Sequence, residues 1–171
     1  MEILYEDNHI IAINKSSSDI VQGDKTGDKP LVDTVREYLK ERYSKSGNVF
    51  CGVVHRLDRP VSGVVLFAKT SKALARLNEM LRGHEIKKKY WAIVVKPPQE
   101  QEATLKHYLV RNERQNKSYA YTTEKKGSKL AVLHYVTIGK SERYTLLEVD
   151  LHTGRHHQIR CQSVLDRKSV V

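Results

Sequence analysis

Apolar residues come in short alternating runs near the start and end of the chain, and at helical spacing in two stretches between. Ile3-Leu4-Tyr5 and Ile10-Ile11-Ala12-Ile13 flank the polar Glu6-Asp7-Asn8-His9, the pattern of two short strands around a turn. Ser16 to Pro30 collects Ser, Asp, Gly and Pro into the longest loop signal in the chain. Leu31, Val35, Tyr38 and Leu39 then recur at helical spacing, with Val32 beside the first, which predicts a helix from about Leu31 to Tyr43. A second loop, Ser44 to Asn48, leads into the stretch from Val49 to Asp58. Val64 to Lys69 reads as a buried strand. Thr70 or Ser71 caps a helix whose Ala73, Leu74, Leu77, Met80 and Leu81 form one stripe, and Gly83 stops it.

The later segments read as strands: Lys89 to Val95, Tyr119 to Thr123, Leu130 to Ile138 and Tyr144 to Leu151. Leu146-Leu147-Glu148-Val149-Asp150-Leu151 alternates as a half-buried strand does. Strands outnumber helices, and those after Lys89 lack connections of helix length. The pattern predicts an α+β fold with a central mixed, mostly antiparallel sheet. No internal repeat and no linker divides it, so the expectation is one domain.

Composition narrows the class. At 171 residues, 39% hydrophobic and 29% charged, the chain is long and apolar enough to bury a core and is unlike a disordered tail. Its longest apolar runs, such as Val64 to Ala68, are too short to span a bilayer. The acids of Met1-Glu2-Ile3-Leu4-Tyr5-Glu6-Asp7 stand where a signal peptide has a basic start, so the expected location is the cytoplasm. Cys51 and Cys161 are too few for a disulfide framework or a four-ligand metal site. The net charge of +10 suits a polyanion, nucleic acid above all, although solvated lysines account for it equally well. Distribution adds a little. Lys87-Lys88-Lys89 runs into Tyr90-Trp91, while Arg111, Arg114 and Lys117 lie near Tyr108, Tyr119 and Tyr121, rings able to stack on bases.

Three stretches could carry chemistry. His55-Arg56-Leu57-Asp58-Arg59-Pro60-Val61-Ser62-Gly63 sets a carboxylate among two arginines and a histidine, between two apolar strands. From spacing alone it reads as a catalytic aspartate or as a solvated turn aspartate. In Leu151-His152-Thr153-Gly154-Arg155-His156-His157-Gln158-Ile159-Arg160, a strand ends and a helix begins, a place where backbone N–H groups can meet phosphate. His152, His156 and His157 invite a metal reading, and the lack of further ligands disfavours it. Lys89-Tyr90-Trp91-Ala92 reads as a strand entry with a tyrosine able to stack.

In this order, His55-Arg56-Leu57-Asp58 with Ser62-Gly63, Lys89-Tyr90-x-Ala92, and Thr153-Gly154-Arg155-x-His157-Gln158-Ile159-Arg160 closely resemble the RluA-type pseudouridine synthase family. The resemblance runs from about Ile3 to Gln162, and Ile10 to Lys15 looks like the strand that opens the catalytic domain. It implies the pseudouridine synthase fold with flanking helices and a basic cleft. It also implies isomerisation of uridine to pseudouridine in ribosomal or transfer RNA, with no metal and no organic cofactor, by a monomer. Asp58 matches the catalytic aspartate, as nucleophile or as base. Arg56 matches the arginine that replaces the flipped base in the RNA stack, and Tyr90 the tyrosine that packs on the target uracil. Arg160 matches the arginine that pairs with the aspartate, and Ile159 would wall the uracil pocket.

Three positions depart from the pattern: Ser16 follows Lys15 where proline is usual, Val61 replaces a threonine, and His156 replaces a threonine or serine. The chain begins at the catalytic strand, as the short form without an N-terminal RNA-binding module would. After Gln162 the resemblance stops. The expectation is a catalytic domain over residues 1–162, incomplete at its C-terminus, followed by a non-native tail over residues 163–171. Asp166-Arg167-Lys168-Ser169-Val170-Val171 can be written GAT CGG AAG AGC GTC GTG, the start of a common short-read sequencing adapter. Two further readings compete with the RNA isomerase: a non-catalytic RNA-binding module on the same fold, and an inactive truncated fragment.

Overall fold

The computed structural model describes residues 1–95 and 97–165; the adapter-like residues 166–171 lie outside the described residues. The chain is α+β and forms two compact units, Met1–Glu85 and a second from Ile86 onward. The boundary falls in an ordinary polar stretch without the Pro, Gly or Ser enrichment that marks a linker, so the pattern of the sequence shows no division there.

The first unit contains β1 (Glu2–Glu6), β2 (Ile10–Lys15), α1 (Leu31–Arg42), β3 (Gly52–Val53), β4 (Gly63–Ala68) and α2 (Ser71–Arg82). Its sheet has the order β1-β2-β4-β3, with every pair antiparallel. Ile11 and Ile13 of β2 and Val65 and Phe67 of β4 are fully buried and face each other in register. Val35 and Leu39 of α1 join them in one core, which is why the apolar stripe of α1 has helical spacing. Pro30, at the head of α1, makes no side-chain cap. Instead the Leu31 and Val32 N–H groups donate to the carbonyls of Ile20 and Val21, at 2.7 and 3.2 Å. Ile20 and Val21 are buried, so the loop signal of Ser16 to Pro30 covers an ordered segment that satisfies the helix start. Of the two cap candidates for α2, Thr70 is the cap: its Oγ1 accepts from the Ala73 N–H at 3.1 Å.

The second unit contains β5 (Lys89–Val94), β6 (Glu102–Asn112), β7 (Lys117–Tyr121), β8 (Lys129–Lys140), β9 (Thr145–Leu151) and α3 (Gln158–Leu165). Its sheet has the order β5-β9-β8-β6-β7, again antiparallel in every pair. Ala92, Val94, Leu133, Tyr135, Leu147 and Val149 form its core. The predicted α+β class holds, and the sheet within each unit is antiparallel, in keeping with the mostly antiparallel reading. Apolar alternation identifies strands but not their partners, and the short connections of the second unit suit antiparallel neighbours. The strand β6 is absent from the predicted set. Its core-facing residues are Ala103, Leu105, His107 and Leu109, and the histidine interrupts the apolar alternation.

At one end of the first sheet lies a charged knot. The Glu6 carboxylate accepts from Lys69 Nζ at 2.6 Å, Tyr43 Oη at 2.7 Å and Tyr38 Oη at 3.0 Å, joining β1, the end of β4 and the end of α1. Burial alone would raise the pKa of Glu6, but the bonds from Lys69, Tyr43 and Tyr38 outweigh it and hold the carboxyl below its ordinary 4.5. A depressed carboxyl contributes stability that is present above the ordinary pKa and is lost as pH falls through the folded one. Urea denaturation of Glu6→Gln at neutral pH is expected to lose about 1.5–3 kcal/mol. Between about pH 6 and pH 3 its stability should fall less steeply than that of the parent; equal slopes would contradict this account.

Candidate active site

The candidate site in the first unit is the loop between β3 and β4, and a buried lysine shapes it. The residues of β2 alternate, and Ile11, Ile13 and Lys15 all point inward. Lys15 is completely buried, and its cross-strand partner is Gly63, which presents no side chain opposite it. Its Nζ donates to the carbonyls of Ser16 at 2.9 Å, Arg59 at 3.1 Å and Val61 at 2.6 Å. Two of these acceptors lie in the turn that follows Asp58. Burial lowers the pKa of the Lys15 amine, while the charges of Asp19 and then Asp58 act to raise it, and the net shift is downward.

The rest of the loop is tied on both sides. The Val61 N–H donates to the Asp58 carbonyl at 3.0 Å, closing a turn over Arg59 and Pro60. From the segment before α1, the Ser18 N–H donates to the Arg59 carbonyl at 2.9 Å and Ser17 Oγ to that of Pro60 at 3.2 Å. Arg59 pairs with Asp28 at 2.7 Å. Gly63 follows with φ +132, a conformation that L side chains rarely adopt, where the loop turns into β4. His55 Nε2 accepts from the Leu66 N–H at 3.1 Å, which leaves the proton of the neutral ring on Nδ1. Asp58 is therefore half-buried on a loop fixed at five backbone points, while Arg56 is exposed beside it. Cys51, close by in sequence, is no nucleophile: burial pushes its thiol up to about 11.

The remaining predicted residues lie in the second unit. Tyr90 pairs with Val149 across β5 and β9 and stands on the core-facing side with Ala92 and Val94. Ile159 of α3 packs against the same core cluster as Tyr90, so the structure brings these two to one core, and Arg160 next to Ile159 is exposed.

What fixes α3 is a set of polar residues. Gln158 Nε2 donates to the Val132 carbonyl at 3.1 Å, while its Oε1 accepts from Thr153 Oγ1 at 2.8 Å and the Arg155 N–H at 2.9 Å. Thr153 Oγ1 also accepts from the Val132 N–H at 2.9 Å. One turn further, Gln162 is fully buried and its Nε2 donates to the carbonyls of Leu105 at 3.1 Å and Ala131 at 3.3 Å. The Thr153-Gly154 turn is therefore no backbone cradle for phosphate. The Thr153 N–H donates to the Val132 carbonyl at 3.2 Å, and that of Arg155 is taken by Gln158. The His156 and His157 rings stack with centroids 3.7 Å apart, and His156 Nδ1 lies 2.9 Å from Ser118 Oγ. Among the described residues no group of three His, Cys, Asp or Glu side chains gathers as metal ligands would.

Sequence reasoning assigned no role to Lys15, Gln158 or Gln162. The signal for Lys15 was a charge at an inward strand position, in register with Ile11 and Ile13. The glutamines carried a weaker one, recurring four residues apart on a helix.

These two sets of residues belong to a known protein class. Residues 9–163 match the RNA pseudouridylate synthase family, and the chain is a member of it. The ribosomal large subunit pseudouridine synthase D of Zymomonas mobilis is 33% identical over 162 residues, covering 94% of this chain and 50% of that protein. The tRNA pseudouridine synthase C of Vibrio cholerae is 32% identical over 171 residues, covering 94% and 67%. Among solved structures, human RNA pseudouridylate synthase domain containing 4 superposes with a TM-score of 0.83 at 22% identity, covering 99% of this chain and 66% of that one, and supports the fold. The chain spans about half the length of several curated relatives that it matches.

Removing the buried amine of Lys15 would take a donor from three carbonyls at once, and among the described residues only that of Arg59 keeps another, the Ser18 N–H. Lys15→Met, which keeps most of the stem, is expected to cost about 3 kcal/mol or more in urea denaturation. Leu39→Met in the same core should cost less than about 1.5 kcal/mol. Equal losses would show that Lys15 contributes packing only.

Proposed function

We propose that this chain isomerises uridine to pseudouridine within structured ribosomal or transfer RNA, with Asp58 as the catalytic carboxylate. The observation that carries the reading is the family match, which spans all three motif blocks, joined to a half-buried aspartate on a loop that backbone bonds hold rigid. Asp58 acts at the ribose side of the glycosidic bond, as nucleophile or as base. The uracil detaches, turns and rejoins through its carbon 5, so no atom is gained or lost. A uracil within a paired stem has to leave the stack first. Arg56, planar and exposed, fills the gap left behind. Tyr90 packs on the extruded ring, Ile159 supplies an apolar wall, and Arg160 pairs with the carboxylate and aims it.

The reaction needs neither a metal nor an organic cofactor in this reading. The protein acts as a monomer in the cytoplasm; no helix among the described residues is long and apolar enough to cross a membrane. The net charge of +10 supports an RNA partner, because phosphate contacts supply most of the affinity in such complexes.

The test incubates the full chain and its Asp58→Asn variant with total RNA and maps pseudouridine in both. Product from the parent, and at least about 1,000-fold less from the variant, is the expected result. Product from both would overturn the role of Asp58. RNA binding without product from either would favour a non-catalytic binding module.

A further inference from the structure

One cavity of the second unit lies outside the residues assigned to uracil. Its volume is about 270 Å3, and its lining includes Leu109, Arg111, Ser118, Lys129, Gly154 and Arg155. We propose that this cavity is a subsite for a backbone phosphate of the RNA, held by Arg111, Lys129 and Arg155. The inference rests on the reading of the chain as an RNA-modifying enzyme.

Strand register is the first argument. Leu109 pairs with Lys129, and Arg111 pairs with Ser118, so these four positions share one face of the sheet. Leu109 is buried there, and the alternation that turns it inward carries Arg111 to the same side. A face that only closed a core would continue with apolar residues at positions 111 and 129. Here it ends in two cations opening on a cavity.

The second argument is charge. No carboxylate lines the cavity, and among the described residues no ion pair involves Arg111, Lys129 or Arg155. Some other surface cations do have acidic partners, as in Lys29 with Glu37 and Lys89 with Glu148. A fourth cation is close by, since a Cβ at Gly154 would stand 3.6 Å from Lys88 Nζ. Lys88 is pushed below its ordinary pKa by burial and then by the charge of Arg155. Like charges gathered this way repel one another, and a bound anion relieves the repulsion.

The third argument is preorganisation. Arg155 Nε donates to the Leu130 carbonyl at 2.9 Å, and the Arg155 N–H is fixed on Gln158. That fixes the plane of the guanidinium and leaves its terminal amino groups as donors for a forked contact, the geometry that suits phosphate. Gly127, with φ +77, turns the β7–β8 connection at the rim with no Cβ to narrow it. The volume is below the range of about 300–1,000 Å3 typical of pockets for larger ligands, and suits one phosphodiester group.

The test measures binding of the full chain to a fluorescein-labelled ribosomal RNA stem-loop by anisotropy over a series of salt concentrations. Arg111→Gln with Lys129→Gln is expected to raise Kd about 10- to 30-fold near 0.15 M salt and to reduce the salt slope by about 1.4–1.8. Lys25→Gln with Lys40→Gln removes the same charge from the exposed surface of the first unit and should change Kd less than about threefold. Arg111→Lys with Lys129→Arg should keep binding within about threefold of the parent, which separates lost contacts from lost folding. A Kd for the Gln pair equal to that of the parent overturns the subsite while leaving the RNA reading intact. So does an equal loss in the Lys25 and Lys40 control, or an equal loss in the charge-conserving pair. If the parent and its Asp58→Asn variant both fail to bind any RNA, the enzyme reading falls, and the subsite with it.

Discussion

The first unit is organised around one buried ammonium. Lys15 takes the third inward position of a strand whose first two are isoleucines, and its charge has no contact with water. A buried cation is tolerated only when its hydrogen-bonding capacity is filled, and here three carbonyls fill it. Because two of those carbonyls belong to the segment around Asp58, the register of β2 and the shape of the loop are one constraint. A slip of one residue in β2 would turn Lys15 out to solvent and release the loop. The glycine opposite, Gly63, both leaves room for the lysine and takes the backbone conformation that ends the loop.

The second unit solves a similar problem with neutral groups. The helix α3 carries Ile159 and Arg160, yet it attaches to the sheet through Gln158, Gln162 and Thr153 as much as through apolar contact. Apolar packing has little directional preference, whereas these bonds have fixed partners in Leu105, Ala131 and Val132. A helix held in this way has one rotation about its axis and one height above the sheet. That is a physical reason for this segment to carry glutamines at positions 158 and 162.

Charge is distributed unequally. Glu6 and Lys69 form a nearly buried pair that joins two strands and a helix, whereas Lys29 with Glu37 and Arg36 with Asp33 are exposed and local. Near the lead into α3, cations collect around a cavity without acids. The net charge of +10 is therefore a poor guide to where an anion binds, since what matters is where cations converge on a cavity that holds no acid.

Much was readable from the sequence alone. Apolar periodicity located both long helices and most strands, because burial of one face imposes its period on the residues. The ordered blocks around Asp58, Tyr90 and Arg160 pointed to the family. Strand partners and β6 required the tertiary structure: alternation marks a strand without naming its neighbour, and His107 interrupted the pattern in β6. The roles of Lys15, Gln158 and Gln162 were decided there as well. Most of their partners are backbone groups, which every residue carries, so an inward lysine or a repeated glutamine in the sequence does not show which bond it will form.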